Sequence, residues 1–179
     1  RAELESTPHS RVIFSSEVWS GPRGFPMLCG FVGALRDAGF PNPEGVAFLR
    51  NRTGYQIGHY REFTRRWGNR KIFNEYVKDQ PPGTFDYLFT CTIMRSVFRE
   101  NLRILIFDGK SDVLRSFVEA ADLSDIAATF ESVPRANESL SCLEIESIRL
   151  CNVRGVKGAG AREFLAHLKE SRPQMFTQE

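Results

Sequence analysis

Phe85-Asp86-Tyr87-Leu88-Phe89-Thr90 (FDYLFT) and Leu102-Arg103-Ile104-Leu105-Ile106-Phe107 (LRILIF) stand on either side of Thr92 to Asn101, and their reading decides the fold. Both runs are short, apolar and rich in aromatic or β-branched residues, as strands are. The ten residues between them read as a helix. Two short apolar strands joined by a helix imply parallel pairing through a crossover, because a tight hairpin joins only antiparallel neighbours. The expectation is an α/β fold with a small central parallel sheet flanked by helices.

Working towards the start, Gly45 to Leu49 (GVAFL) reads as another short strand. Before it, Pro26 fits the first helical position, and Leu28, Phe31, Val32 and Leu35 recur at helical spacing up to a stop at Gly39. Gly30 and Gly33 are expected to admit a close neighbour. Arg11 to Ser16 (RVIFSS) reads as the first strand. Between Arg50 and Phe85 the pattern changes. Gly54 to Ile57 suggests edge structure, and Arg61 to Gln80 reads as one helix broken near Gly68, or as two short ones. Phe63, Trp67, Ile72, Phe73, Tyr76 and Val77 are its apolar set, expected to dock it on the body.

Towards the end, Ser111 is positioned to cap a helix bearing Val113, Leu114, Phe117 and Val118, which Asp122 to Phe130 continues or restarts. Glu131 to Ser141 reads as a polar loop. Leu143 to Leu150 (LEIESIRL) alternates apolar and polar residues as a half-buried strand does. A glycine-rich turn then leads into a last helix, Ala161 to Lys169. The expected organisation is a flexible tail over 1–10, one domain over 11–170 with a basic helical insertion at 50–83 and a C-terminal strand-helix extension, and a second loose tail over 171–179.

The chain has 179 residues, 41% hydrophobic and 26% charged with 15 Phe, enough for a sizeable core and too apolar for general disorder. No stretch approaches the roughly 18 apolar residues that span a bilayer, so no membrane partner is expected. Arg1 to Ser10 is polar and acidic, unlike a secretory leader; starting without Met, it is consistent with a trimmed piece of a longer parent. Cys29, Cys91, Cys142 and Cys151 read as mostly buried thiols of a reducing compartment. On that reading the sequons Asn51-Arg52-Thr53 and Asn137-Glu138-Ser139 are chance matches.

The net charge is only +2, but its distribution is uneven. Arg50 to Lys78 holds Arg50, Arg52, Arg61, Arg65, Arg66, Arg70, Lys71 and Lys78 against Glu62 and Glu75 before Asp79, a balance of +6 that leaves −4 elsewhere. Arg61, Arg65 and Arg66 fall on adjacent helical positions, and Arg70 with Lys71 follows the break. Such a surface attracts phosphate backbone or an acidic protein surface. Arg154, Lys157 and Arg162 surround the glycines at 155, 158 and 160 and form a candidate accessory anion site.

In its order of elements the chain resembles the BRCT family over roughly Arg11 to Ala121, interrupted by the basic insertion. The resemblance rests on that order and on the FDYLFT–helix–LRILIF unit. It implies a four-stranded parallel sheet with one helix on one face and two on the other. The family's usual Trp in the last helix has no counterpart, since Trp19 and Trp67 lie elsewhere. Size and insertion are similar to a divergent kinetochore-associated version of the module found in kinetoplastids. Family members that bind phosphopeptides place a hydroxyl at the end of the first strand, and a hydroxyl and a cation at the start of the second helix. The matching residues are Ser15 or Ser16, then Thr92 and Arg95, with Glu17 standing where Gly is usual. A helix start with free N–H groups and an Arg beside it suits phosphate.

Nothing in the sequence points to catalysis. His9, His59 and His167 show no metal-ligand spacing, and no HExxH or CxxC element occurs. Gly109-Lys110-Ser111 lacks the earlier glycine of a phosphate-binding loop, whose place Ile104 takes. No catalytic residue, metal or cofactor is therefore expected. The resemblance implies an intracellular protein-interaction module reading a phosphorylated partner in a nuclear or chromosomal scaffold. The other expectation is a nucleic-acid or polyanion-binding module using residues 50–78.

Overall fold

Asp86 sits inside the run that reads as a strand, and it starts a helix. In the computed structural model, which describes residues 12–16, 19, 21–108, 112–123 and 140–176, its carboxylate accepts the amide of Phe89 at 3.1 Å. Thr90 Oγ1 donates back to the Asp86 carbonyl at 3.0 Å. The result is a helix over Tyr87–Phe98 where FDYLFT was expected to be extended. An N-cap of this kind is worth about 1 kcal/mol, and the β-propensity of Tyr, Phe and Thr yields to the twelve-residue run that follows the cap.

Among the described residues there are seven α-helices and one two-stranded sheet. We number them α1 (Phe25–Asp37), β1 (Gly45–Arg50), α2 (Arg52–Trp67), α3 (Phe73–Lys78), α4 (Tyr87–Phe98), β2 (Leu102–Phe107), α5 (Val113–Ala120), α6 (Cys142–Val153) and α7 (Ala159–Ser171). Strands β1 and β2 are parallel, in register from Gly45 opposite Leu102 to Arg50 opposite Phe107. The coarse expectation of an α/β chain with a small parallel sheet holds. The sheet has two strands among the described residues, where the resemblance implies four.

Three expected strands are not strands. Residues 12–16 are irregular and exposed, with Phe14 edge-on to Phe31 of α1 at 4.9 Å between centroids. FDYLFT belongs to the start of α4. LEIESIRL lies within α6, so the described part of the C-terminal extension holds two helices and no strand. The edge structure expected near Gly54 is also helix. Asn51 caps α2 by accepting the amides of Thr53 and Gly54. The helix cap expected at Ser111 falls to Asp112, which accepts the amides of Leu114 and Arg115. Residues 1–11, 17–18, 20, 109–111, 124–139 and 177–179 lie outside the described set, and with them the first tail, Glu17, the Gly109-Lys110-Ser111 turn and most of the polar loop.

The chain divides into two compact units, one of Arg1–Arg50 with Pro81–Thr129, the other of Asn51–Gln80 with Phe130–Glu179. In the first, Leu28 and Val32 of α1 bury against Val97 of α4, with Trp19, Phe31, Met94 and Phe98 around them. Each such aliphatic burial contributes about 1.5–3 kcal/mol. The Arg36 guanidinium donates to the Val97 carbonyl at 2.7 Å and locks the helix pair. Gly45 is required where β1 begins: a Cβ there would stand 2.6 Å from the Phe98 ring. Among the described residues no neighbour comes within 4 Å of where a Cβ would stand at Gly30 or Gly33, so the expected close contact is not seen there.

The second unit joins the basic segment to the end of the chain. Tyr60 of α2, Tyr76 of α3 and Ile145 of α6 form one cluster. Ile148 and Cys151 of α6 form another with Ala161 and Leu165 of α7. Helix α6 therefore buries residues on two sides, which explains why its sequence is apolar at so many positions. The expected loose tail is ordered further than anticipated: α7 runs to Ser171, a 3-10 turn spans Pro173–Met175, and Phe176 packs on the α7 cluster.

Candidate functional site

The residues proposed for phosphate lose the geometry that suggested them. Thr92 is the sixth residue of α4, and the free amides of that helix lie at its first turn, where Asp86 already takes one. Thr92 and Arg95 are exposed one turn apart in mid-helix. Ser15 and Ser16 are exposed in irregular chain and not at the end of a strand.

The basic residues are sorted by their acids. Glu62 pairs with both Arg65 at 3.1 Å and Arg66 at 2.8 Å, one turn along α2. Lys71 pairs with Asp79. The Arg61 guanidinium reaches the Cys142 thiol at 3.7 Å. Lys169 of α7 pairs with Glu144, and Arg149 with Glu146. Among the described residues, Arg70, Arg154, Lys157 and Arg162 have no ion-pair partner, and all four are exposed.

Two sites expected to be separate meet at the end of α2. Gly68 stops that helix in the left-handed region, at φ +68°. The Lys157 side chain lies across it: Cδ and Cε stand 3.2 and 3.4 Å from where a Cβ at Gly68 would be. Only glycine meets both demands. Arg70 follows two residues later, and its carbonyl accepts from the Arg149 guanidinium at 3.0 Å. One cation of the basic segment and one of the accessory set thus border the same turn. Trp67 stands at that turn with 72% of its surface exposed, and it was expected to be a docking residue. Its ring meets Phe63 at 6.2 Å. Sequence spacing correctly places Trp67 away from the Arg face, but nothing local says that no apolar neighbour covers it.

The turn is held from below by polar groups. Asn152 of α6, 1% exposed, donates to the carbonyls of Thr64 at 2.9 Å and Asn69 at 3.0 Å. Asn69 in turn donates to Thr64 Oγ1 and to the Lys71 carbonyl, and accepts the Lys71 amide. Thr64 lies in the last turn of α2, where carbonyls lose their helical partners. Trp67 and Arg70 consequently stand at a turn held by these bonds, and Lys157, from the loop after α6, lies across it.

An aromatic nest occupies the other side of α2. His59 stacks on Phe63 with centroids 4.5 Å apart, and its Nδ1 is 2.7 Å from Tyr76 Oη. Burial lowers the His59 pKa. Burial, then the neighbouring Tyr55, raises the Tyr76 pKa. Among the described residues no group of three His, Cys, Asp or Glu is placed to hold a metal. The thiols are free, but only Cys151 is buried; Cys29 and Cys142 are exposed and Cys91 is intermediate, against the expectation of mostly buried thiols. Burial raises the Cys151 pKa, partly offset by Arg154.

No protein-family model, curated protein or solved structure matches the chain. Its site must be read from its own residues. Among the described residues, no helix is long and apolar enough to cross a membrane.

Proposed function

We propose that this chain is a nucleic-acid-binding module that works through its second unit. The observation that carries the reading is the exposed Trp67 beside two unpaired cations, Arg70 and Lys157, on one rigid turn. Charge supports it. Residues 51–80 and 130–179 hold 14 Lys and Arg against 10 Asp and Glu, and the remainder holds 10 against 12. Ion pairs engage Arg65, Arg66 and Lys71 among the cations that the sequence singles out, and Arg70, Arg154, Lys157 and Arg162 are left without one among the described residues. Phosphate contacts of this kind supply affinity without a sequence code. Phosphopeptide recognition draws no comparable support, since Thr92 and Arg95 lie outside the first turn of α4.

Arg70→Glu with Lys157→Glu should weaken binding to DNA or RNA at least tenfold, because a hydrogen bond to a charged group is worth about 1.5–3 kcal/mol. The slope of log affinity against log salt should become shallower by about 0.7–0.9 for each phosphate that the variant no longer neutralises. Arg65→Gln should do less, because Glu62 already neutralises that side chain. Fluorescence anisotropy across a salt series measures all three. Affinity that ignores both salt and the double reversal would end the reading, and a stronger grip on an acidic polypeptide than on nucleic acid would replace it with a protein partner.

A further inference from the structure

We infer that the ligand of this turn is unpaired nucleic acid, with a base stacked on the Trp67 indole and the flanking phosphates held by Arg70 and Lys157. This deepens the nucleic-acid reading and rests on it. A cationic surface alone draws duplex and single strand alike, so the added claim depends on the indole. Trp67 is 72% exposed at the last position of α2, although the same helix buries Tyr60 and half-buries Phe63. An indole in water with no covering neighbour offers one large π-face. Every base has a matching face, but in a duplex those faces are already spent on one another.

The surroundings fit such an occupant. Val153 and Val156, at the end of α6 and just beyond it, are exposed, and Lys157 follows them to lie across Gly68. Arg70 and Lys157, both exposed and without an ion pair among the described residues, are available to phosphates. The Asn152 and Asn69 hydrogen bonds fix the backbone of that turn in advance, which leaves the side chains as the part to be ordered on binding. An acidic polypeptide would use the cations but leave the indole idle.

The test uses the full chain carrying Trp19→Phe, which leaves Trp67 as its only tryptophan. Oligodeoxythymidylate, a duplex matched in phosphate number, and polyglutamate are titrated while emission and anisotropy are followed. Quenching by the single strand, absent with polyglutamate, is the expected result. Trp67→Ala, in the otherwise unmodified chain, should lose roughly 5- to 150-fold in single-strand affinity, with little change for duplex. Trp67→Phe should restore part of it. Circular dichroism and urea midpoints check that the variants stay folded, which exposure of the residue favours. Equal binding of duplex and single strand with unchanged emission overturns the stacking inference while the nucleic-acid module stands. Absence of binding to either nucleic acid overturns both.

Discussion

Asn152 is buried without a charged partner, and its amide serves two carbonyls that α2 and its turn leave over. Removing that donor strands both carbonyls away from water at about 1–3 kcal/mol each. Asn152→Ala should therefore lower unfolding stability by roughly 2–4 kcal/mol, and isosteric Asn152→Asp should be no milder, since an oxygen would face an oxygen. An unchanged urea midpoint for the aspartate would show that these bonds are dispensable. His59 offers a second residue-scale measurement. Its pKa is lowered in the folded chain, so below the ordinary value of 6.5 the unfolded chain takes up protons more readily. The associated stability is complete above 6.5 and declines as pH falls through that value towards the lowered one. Thermal midpoints measured from about pH 7.5 down to about 5.5 should drop, and His59→Gln should flatten the curve in that window. Glu144 and Glu146, whose carboxyls are also held low, release their share at more acidic pH. The role of Asn152 is not legible beforehand, because its two partners lie 88 and 83 residues away.

Among the elements, LRILIF and GVAFL are legible because each is a short apolar run of strand length. FDYLFT and LEIESIRL mislead for different reasons. In the first, aromatic β-propensity outweighs an Asp that acts as a cap. In the second, alternation masks a helical set, since Ile145, Ile148 and Cys151 recur every three residues and all face the interior. The signal that finds α6 is Ser141 followed three residues later by Glu144, a capping box that the structure forms reciprocally. Burial alone would push the Glu144 carboxyl up, but Lys169 and the Ser141 amide and hydroxyl outweigh it and hold it below the usual value. Ser141→Ala should cost about 1 kcal/mol. Glu144→Ala should cost more, as it also abandons Lys169 of α7, and the double substitution should cost less than the sum. Chemical denaturation of the four proteins closes that cycle; strict additivity would mean the two side chains do not cooperate.

At the scale of the whole molecule, composition announces a folded α/β chain and charge segregation announces its basic part. What stays hidden is that the basic segment completes its core with residues almost at the other end, through Tyr60, Tyr76 and Ile145. Local patterns report which face of a helix is apolar, not which distant element will cover it. Trp67 misleads for the same reason: it shares the periodic set that buries Tyr60, and only the assembled unit shows it uncovered.

That interleaving has a consequence during synthesis. Each unit is made of two separated stretches, so neither is complete when its first stretch leaves the ribosome. Helices α2 and α3 emerge with Tyr60 and Tyr76 already in place, but their cover, α6, begins only at Cys142. At about 5–20 residues per second, that delay is on the order of several seconds. For that interval a nascent chain shows an arginine-rich, aromatic surface to everything around it, including the ribosomal RNA beside the exit.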